Sequence, residues 1–78
     1  MKQINECFDR FFNNKLPLKK RWYIVDAPGD NIWLFHYTHL ILVFNKTTKE
    51  IIHEWSSTAA DKRGLKAAKD YLTRRFDM

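Results

Sequence analysis

The chain has 78 residues, 45% hydrophobic and 15% aromatic, enough for one small folded domain over 1–78 and too apolar for wholesale disorder. Fourteen Lys and Arg against nine Asp and Glu leave a formal net charge of +5, which favours anionic partners such as nucleic acid or an acidic protein surface. One cysteine excludes an intramolecular disulfide and fits a reducing, cytoplasmic setting.

Met1 leads straight into polar residues, unlike a secretory leader. Residues 2–14 read as a helix, since Ile4, Cys7, Phe8, Phe11 and Phe12 recur at helical spacing on one face. Asn13-Asn14 and then Pro17 end it. A connector follows with the basic cluster Lys19-Lys20-Arg21. Trp22-Tyr23-Ile24-Val25 is aromatic and β-branched, and predicts a strand. Asp26-Ala27-Pro28-Gly29-Asp30-Asn31 is the strongest turn signal in the chain, because Pro presets φ and Gly permits positive φ.

Residues 32–44 then run without Gly, Pro or formal charge. The run contains His36, Thr38 and His39 and is too short and too polar to span a bilayer, so no membrane association is expected. Read as one strand, neither of its faces is polar, and both need cover or a partner. A turn at His36-Tyr37-Thr38-His39 would split it in two. One long or bent strand is preferred, because those four residues carry no turn chemistry. Asn45-Lys46-Thr47-Thr48 is a hairpin connection. Lys49 to Trp55 is the last strand, with Ile51, His53 and Trp55 as its expected core face.

Thr58 with Asp61 three residues on resembles a capping box at the start of a second helix. Gly64, Leu65, Ala68, Tyr71, Leu72 and Phe76 gather on one side of it. Glycine in mid-helix costs about 1 kcal/mol relative to alanine, so Gly64 on the apolar side points to close approach, against a Trp or Phe. Arg75 falls near that apolar arc. The expected fold is α+β, a three-stranded antiparallel meander flanked by an N-terminal and a C-terminal helix, α-β-β-β-α.

The opposite side of the second helix carries Lys62, Lys66 and Lys69 with Arg63 beside them. Like charges at i, i+4 repel on an isolated helix, whereas a row of them can neutralise phosphates. Lys62-Arg63-Gly64-Leu65-Lys66, after three strands, resembles the Lys-Lys-x-Ala-Lys of double-stranded RNA-binding domains. That resemblance implies phosphate contacts from these lysines across a groove, with duplex favoured. Trp55-Ser56-Ser57-Thr58 stands where that family has a Gly-rich approach. The order of elements also resembles the arm-type DNA-binding domains of some phage-like integrases. The expected nucleic-acid-binding residues are Lys62, Arg63, Lys66, Lys69, Lys19, Lys20 and Arg21.

Tyr23, Trp33, Phe35 and Tyr37 form an aromatic set that suits base stacking, core packing or a protein interface. No metal site and no cofactor are expected: His36, His39, His53 and Cys7 match no compact zinc spacing. No phosphate loop, carboxylate pair or nucleophile elbow is present, so no enzyme is expected. Two functions remain. The first is a small basic nucleic-acid-binding protein acting through its C-terminal helix. The second is a protein-binding regulator, such as an inhibitor of a host enzyme of the phage or mobile-element type, dimeric through its apolar sheet.

Overall fold

The computed structural model describes residues 1–18 and 21–78, so the expected contacts of Lys19 and Lys20 lie outside the described residues. The elements are α1 (Lys2–Phe12), β1 (Trp22–Ala27), β2 (Asn31–His36), β3 (His39–Asn45), β4 (Glu50–Glu54) and α2 (Ala59–Phe76). The sheet is an antiparallel meander in the order β1-β2-β3-β4, with four strands where the sequence pointed to three. The α+β class and the flanking helices are as expected.

The extra strand arises at Tyr37-Thr38, where the long apolar run folds back and His36 pairs with His39. Tyr37 takes φ 56°, a left-handed conformation that costs a non-glycine residue about 1–2 kcal/mol. Contacts distant in sequence offset this cost. The Tyr37 N–H donates to the Arg21 carbonyl at 2.8 Å, and the Tyr23 hydroxyl donates to the Tyr37 carbonyl at 2.8 Å. The turn is therefore held by the neighbouring strand, not by turn residues. By contrast, Gly29 sits at φ 77° in the turn that the sequence announces plainly.

Two bulges reset the side-chain alternation. In β3, Ile41 is inserted between partners of Leu34 and Phe35, so Ile41 and Leu42 are both buried. In β4, Ile52 is inserted opposite the step from Val43 to Phe44. Ile51 therefore keeps its core position, but His53 pairs with Val43 and Trp55 is exposed. The expected core face of Ile51, His53 and Trp55 is corrected to Ile51 alone, because one added residue inverts the period-2 pattern.

Both helices cover the same side of the sheet. Ile4, Cys7 and Phe8 of α1 and Ala68, Tyr71 and Leu72 of α2 meet Trp22, Ile24, Ile32, Leu34, Leu42 and Phe44 from the strands. Phe8 and Tyr71 stack at 4.9 Å across the two helices, and the Tyr71 hydroxyl donates to Asp9 at 2.6 Å. Gly64 lies directly on Trp22, and a β-carbon there would fall 1.9 Å from the indole ring. The Arg75 guanidinium lies 4.4 Å from the centre of the Phe12 ring and donates to the Tyr71 hydroxyl, which accounts for a cation beside the apolar arc. Among the described residues no helix is long and apolar enough to cross a membrane.

Candidate functional site

Lys62, Arg63, Lys66 and Lys69 all lie on the exposed side of α2. The helix turns them outward because Gly64, Ala68 and Leu72 are claimed by the sheet. They are not equivalent. Lys66 pairs with Asp70 one turn along, at 2.9 Å, and that pairing holds the Asp70 carboxyl below the usual carboxylate range. Lys69 reaches Glu54 of β4 at 3.1 Å. Lys62 and Arg63 make no ion pair among the described residues. Both of the paired lysines remain well exposed, and such surface pairs contribute about 0–1 kcal/mol each. Arg21 is exposed immediately before β1.

The sheet surface facing away from the helices is the second candidate. Register places Val25, Trp33, Val43 and His53 in one row across all four strands, and Tyr23, Phe35 and Leu40 in the next. Tyr23 and Phe35 stack at 5.2 Å, nearly parallel, and Trp33 leans on Phe35 at 6.2 Å. Val25 is 39% and Trp33 37% exposed, and Tyr37 projects from the adjoining turn at 56%. The four expected aromatics thus share one neighbourhood. At the far end the surface turns polar, where Asn45 donates to Asn31 and to the Gly29 carbonyl. Among the described residues the strands contain no Lys or Arg, and their only formal charges are those of Asp26, Glu50 and Glu54. All cations of the described residues belong to helices and connections.

A third constellation is internal and was not foreseen. Asp61, fully buried in the first turn of α2, completes the capping box: its N–H donates to Thr58 Oγ1 at 3.0 Å. One carboxylate oxygen in turn accepts the N–H groups of Ser57 and Thr58, both at 3.1 Å. The other oxygen contacts His36 Nδ1 at 2.6 Å. His39 Nδ1 lies 3.4 Å from the carboxylate. That nitrogen is enclosed and makes no aligned hydrogen bond. Burial works against ionisation of Asp61. The bond from His36, the two backbone N–H groups and the approach of His39 outweigh it and hold the carboxyl well below the usual range. Trp22 stacks on the His36 ring at 4.1 Å, and the edge of Trp55 meets His39 at 5.1 Å.

Two signals in the sequence bear on this cluster. Asp in place of the longer Glu in the capping box brings the carboxylate close to the helix start. A two-residue turn after His36 pairs that residue with His39. Neither signal is decisive alone, because the turn carries no glycine or asparagine. Cys7, the thiol candidate, is not among the ligand atoms that gather at this cluster. It is buried, donates to the Trp22 carbonyl, and burial pushes its thiol up to about 11.

Comparison with known protein families, with curated proteins and with solved structures gave no significant match to this chain. The functional reading rests on the geometry above.

Proposed function

We propose that this chain is a non-catalytic binding protein with two working faces. Its apolar sheet face joins a second copy, and the cationic side of α2 contacts an anionic partner, with duplex nucleic acid favoured. One observation carries the reading: positive charge is partitioned, with no Lys or Arg in any strand among the described residues and four cations spaced along the exposed side of α2. The sheet face holds no cation, and its one strand carboxylate, Glu50, lies at the polar end beside Asn45, so it meets its own copy with little like-charge repulsion, which the α2 side could not do. Lys62 and Arg63, unpaired among the described residues, are the first phosphate contacts. Lys66 and Lys69 exchange weak surface carboxylate pairs for phosphates at little cost. The buried, protonated Cys7 thiol offers no nucleophile, in keeping with a binding role.

The test is a salt-titrated binding series with single-stranded and duplex DNA and RNA. For duplex DNA the log-log slope is about −0.9 for each phosphate neutralised, so Lys62→Glu with Arg63→Glu lowers its magnitude by about 1.8 and weakens binding. Binding that ignores both reversals removes the reading.

The second reading is a regulator that docks its sheet face on a foreign protein. The exposed Tyr37, Ile52 and Trp55 favour it, since they extend apolar surface past the sheet's edges. It takes precedence if the chain is monomeric and binds no polyanion.

A further inference from the structure

We propose that His36, His39 and Asp61 form a binding site for a divalent transition-metal ion of the zinc type. Among the described residues these three offer ligand atoms that all lie within 4.8 Å of one another. They come from the two sides of the β2–β3 turn and from the first turn of α2, so an ion there ties the hairpin to the helix.

The donor set suits such an ion. Imidazole nitrogens bind zinc, copper and nickel well, and an ionised carboxylate supplies charge. The Asp61 carboxylate is already fixed by the Ser57 and Thr58 N–H groups. Such supporting bonds orient a metal ligand in advance. His39 supplies the second observation: its Nδ1 is enclosed, points at the carboxylate and makes no hydrogen bond there. An aligned pair would leave nothing for an ion to satisfy.

Distances favour one side of the site more than the other. Zinc bonds of about 2.0–2.2 Å put tetrahedral ligands roughly 3.3 Å apart. His39 Nδ1 stands 3.4 Å from Asp61 Oδ2, the oxygen that also accepts the Ser57 and Thr58 N–H groups. His36 Nδ1 stands 2.6 Å from the other oxygen, Oδ1, so an ion held by both rings takes the carboxylate through both oxygens, and His36 must draw back by about 0.7 Å to admit it. To bind an ion, His36 turns its Nδ1 lone pair to it, and the neutral ring carries its one proton on Nε2 instead. The His39 ring is partly exposed beside Trp55 although its Nδ1 is enclosed, so an ion enters as that ring turns aside. Water completes the coordination sphere, since only three protein ligands are supplied.

The experiment uses the untagged full chain, stripped with chelator and titrated with zinc chloride by calorimetry and with cobalt chloride by visible absorption. One ion per chain and a rise in melting temperature are expected, with the visible bands of a tetrahedral cobalt site. His39→Ala should weaken zinc binding by more than about a hundredfold, beyond what loss of a supporting partner gives. His53→Ala, on the outer sheet face, should bind as the parent does. Should His39→Ala fail to fold, long-range proton–nitrogen spectra of the unaltered chain decide the matter. Zinc must move the Nδ1 resonances of His36 and His39 and leave those of His53 in place. No uptake, unchanged uptake by His39→Ala, or a shift confined to His53 overturns the proposal.

Discussion

Asp61 is the residue on which most of the local structure converges. Its carboxylate caps α2 through Ser57 and Thr58, holds His36 beneath Trp22 and faces His39, all without contact with solvent. Breaking a buried pair by removing one partner costs about 3–5 kcal/mol, and loss of a cap about 1 kcal/mol. Asp61→Asn keeps the shape and removes the charge, so it isolates the electrostatic part. The carboxyl is held below its usual range in the folded chain. The stability it contributes is therefore present above the unfolded-state value of 3.8 and is lost as pH falls toward the lower folded value. Urea midpoints at pH 7 and below pH 4 should show the gap between the parent and Asp61→Asn closing as acid is added. A gap that stays constant would show that the charge is not what the fold uses. Cys7 gives a simpler expectation. With its thiol pushed up to about 11 by burial, it should react with a disulfide reagent only as fast as the chain opens, and at once when unfolded. Rapid reaction of the native chain would contradict its placement.

At the level of elements, α2 shows how much a single missing side chain can specify. Gly64 is unfavourable in the helix by about 1 kcal/mol, yet it is the only residue that lets Trp22 lie flat between the helix and His36. Gly64→Ala gains helix propensity and loses more through overpacking, for a net destabilisation of about 1–3 kcal/mol in urea unfolding. In a Trp22→Leu background the same change should cost clearly less, because the two residues share one contact. Equal cost in both backgrounds would mean that the indole is not the obstacle.

The same helix was largely legible in the sequence. Its capping residues, its glycine and its apolar arc follow local rules that need no partner. The sheet was less so. The turn at Pro28-Gly29-Asp30 announces itself, but the one at Tyr37-Thr38 does not. Its positive φ is held by hydrogen bonds to Arg21, just before β1, and from Tyr23, within it. The bulges at Ile41 and Ile52 are equally silent, and each inverts which face a following residue occupies. His53 and Trp55 were misplaced for that reason. The cluster of His36, His39 and Asp61 depends on both the hidden turn and the helix cap, so it was visible only in parts. The cationic row on α2 was visible whole, although its pairing of Lys69 with Glu54 required the path of β4.

The whole molecule is organised by side. Helices and the cations they carry occupy one layer, and the other side of the sheet is apolar away from its Asn31, Asn45 and Glu50 end, with Val25 and Trp33 each more than a third exposed. Antiparallel sheets commonly keep one face in water, but such a face is normally polar. Here the body measures 29 × 24 × 23 Å, so its flat face spans roughly 550–700 Å², near the ~800 Å² that each partner gives to a standard interface. Two such faces packed as a sandwich would sit about 10 Å apart with strands crossing at about 30°. The cationic sides of both α2 helices would then point away from each other, at the greatest separation that the pair allows. Sedimentation over a micromolar to millimolar range should show a monomer giving way to a dimer. Val25→Glu with Trp33→Glu should hold the chain as a monomer at every concentration, because paired carboxylates meet their own copies across the twofold axis. Both side chains face outward, so circular dichroism should be unchanged. The helix cations are untouched, so the salt dependence of polyanion binding per chain should persist. A parent chain that stays monomeric throughout, or a double variant that still pairs, would free the sheet face for a different protein and leave α2 to act alone.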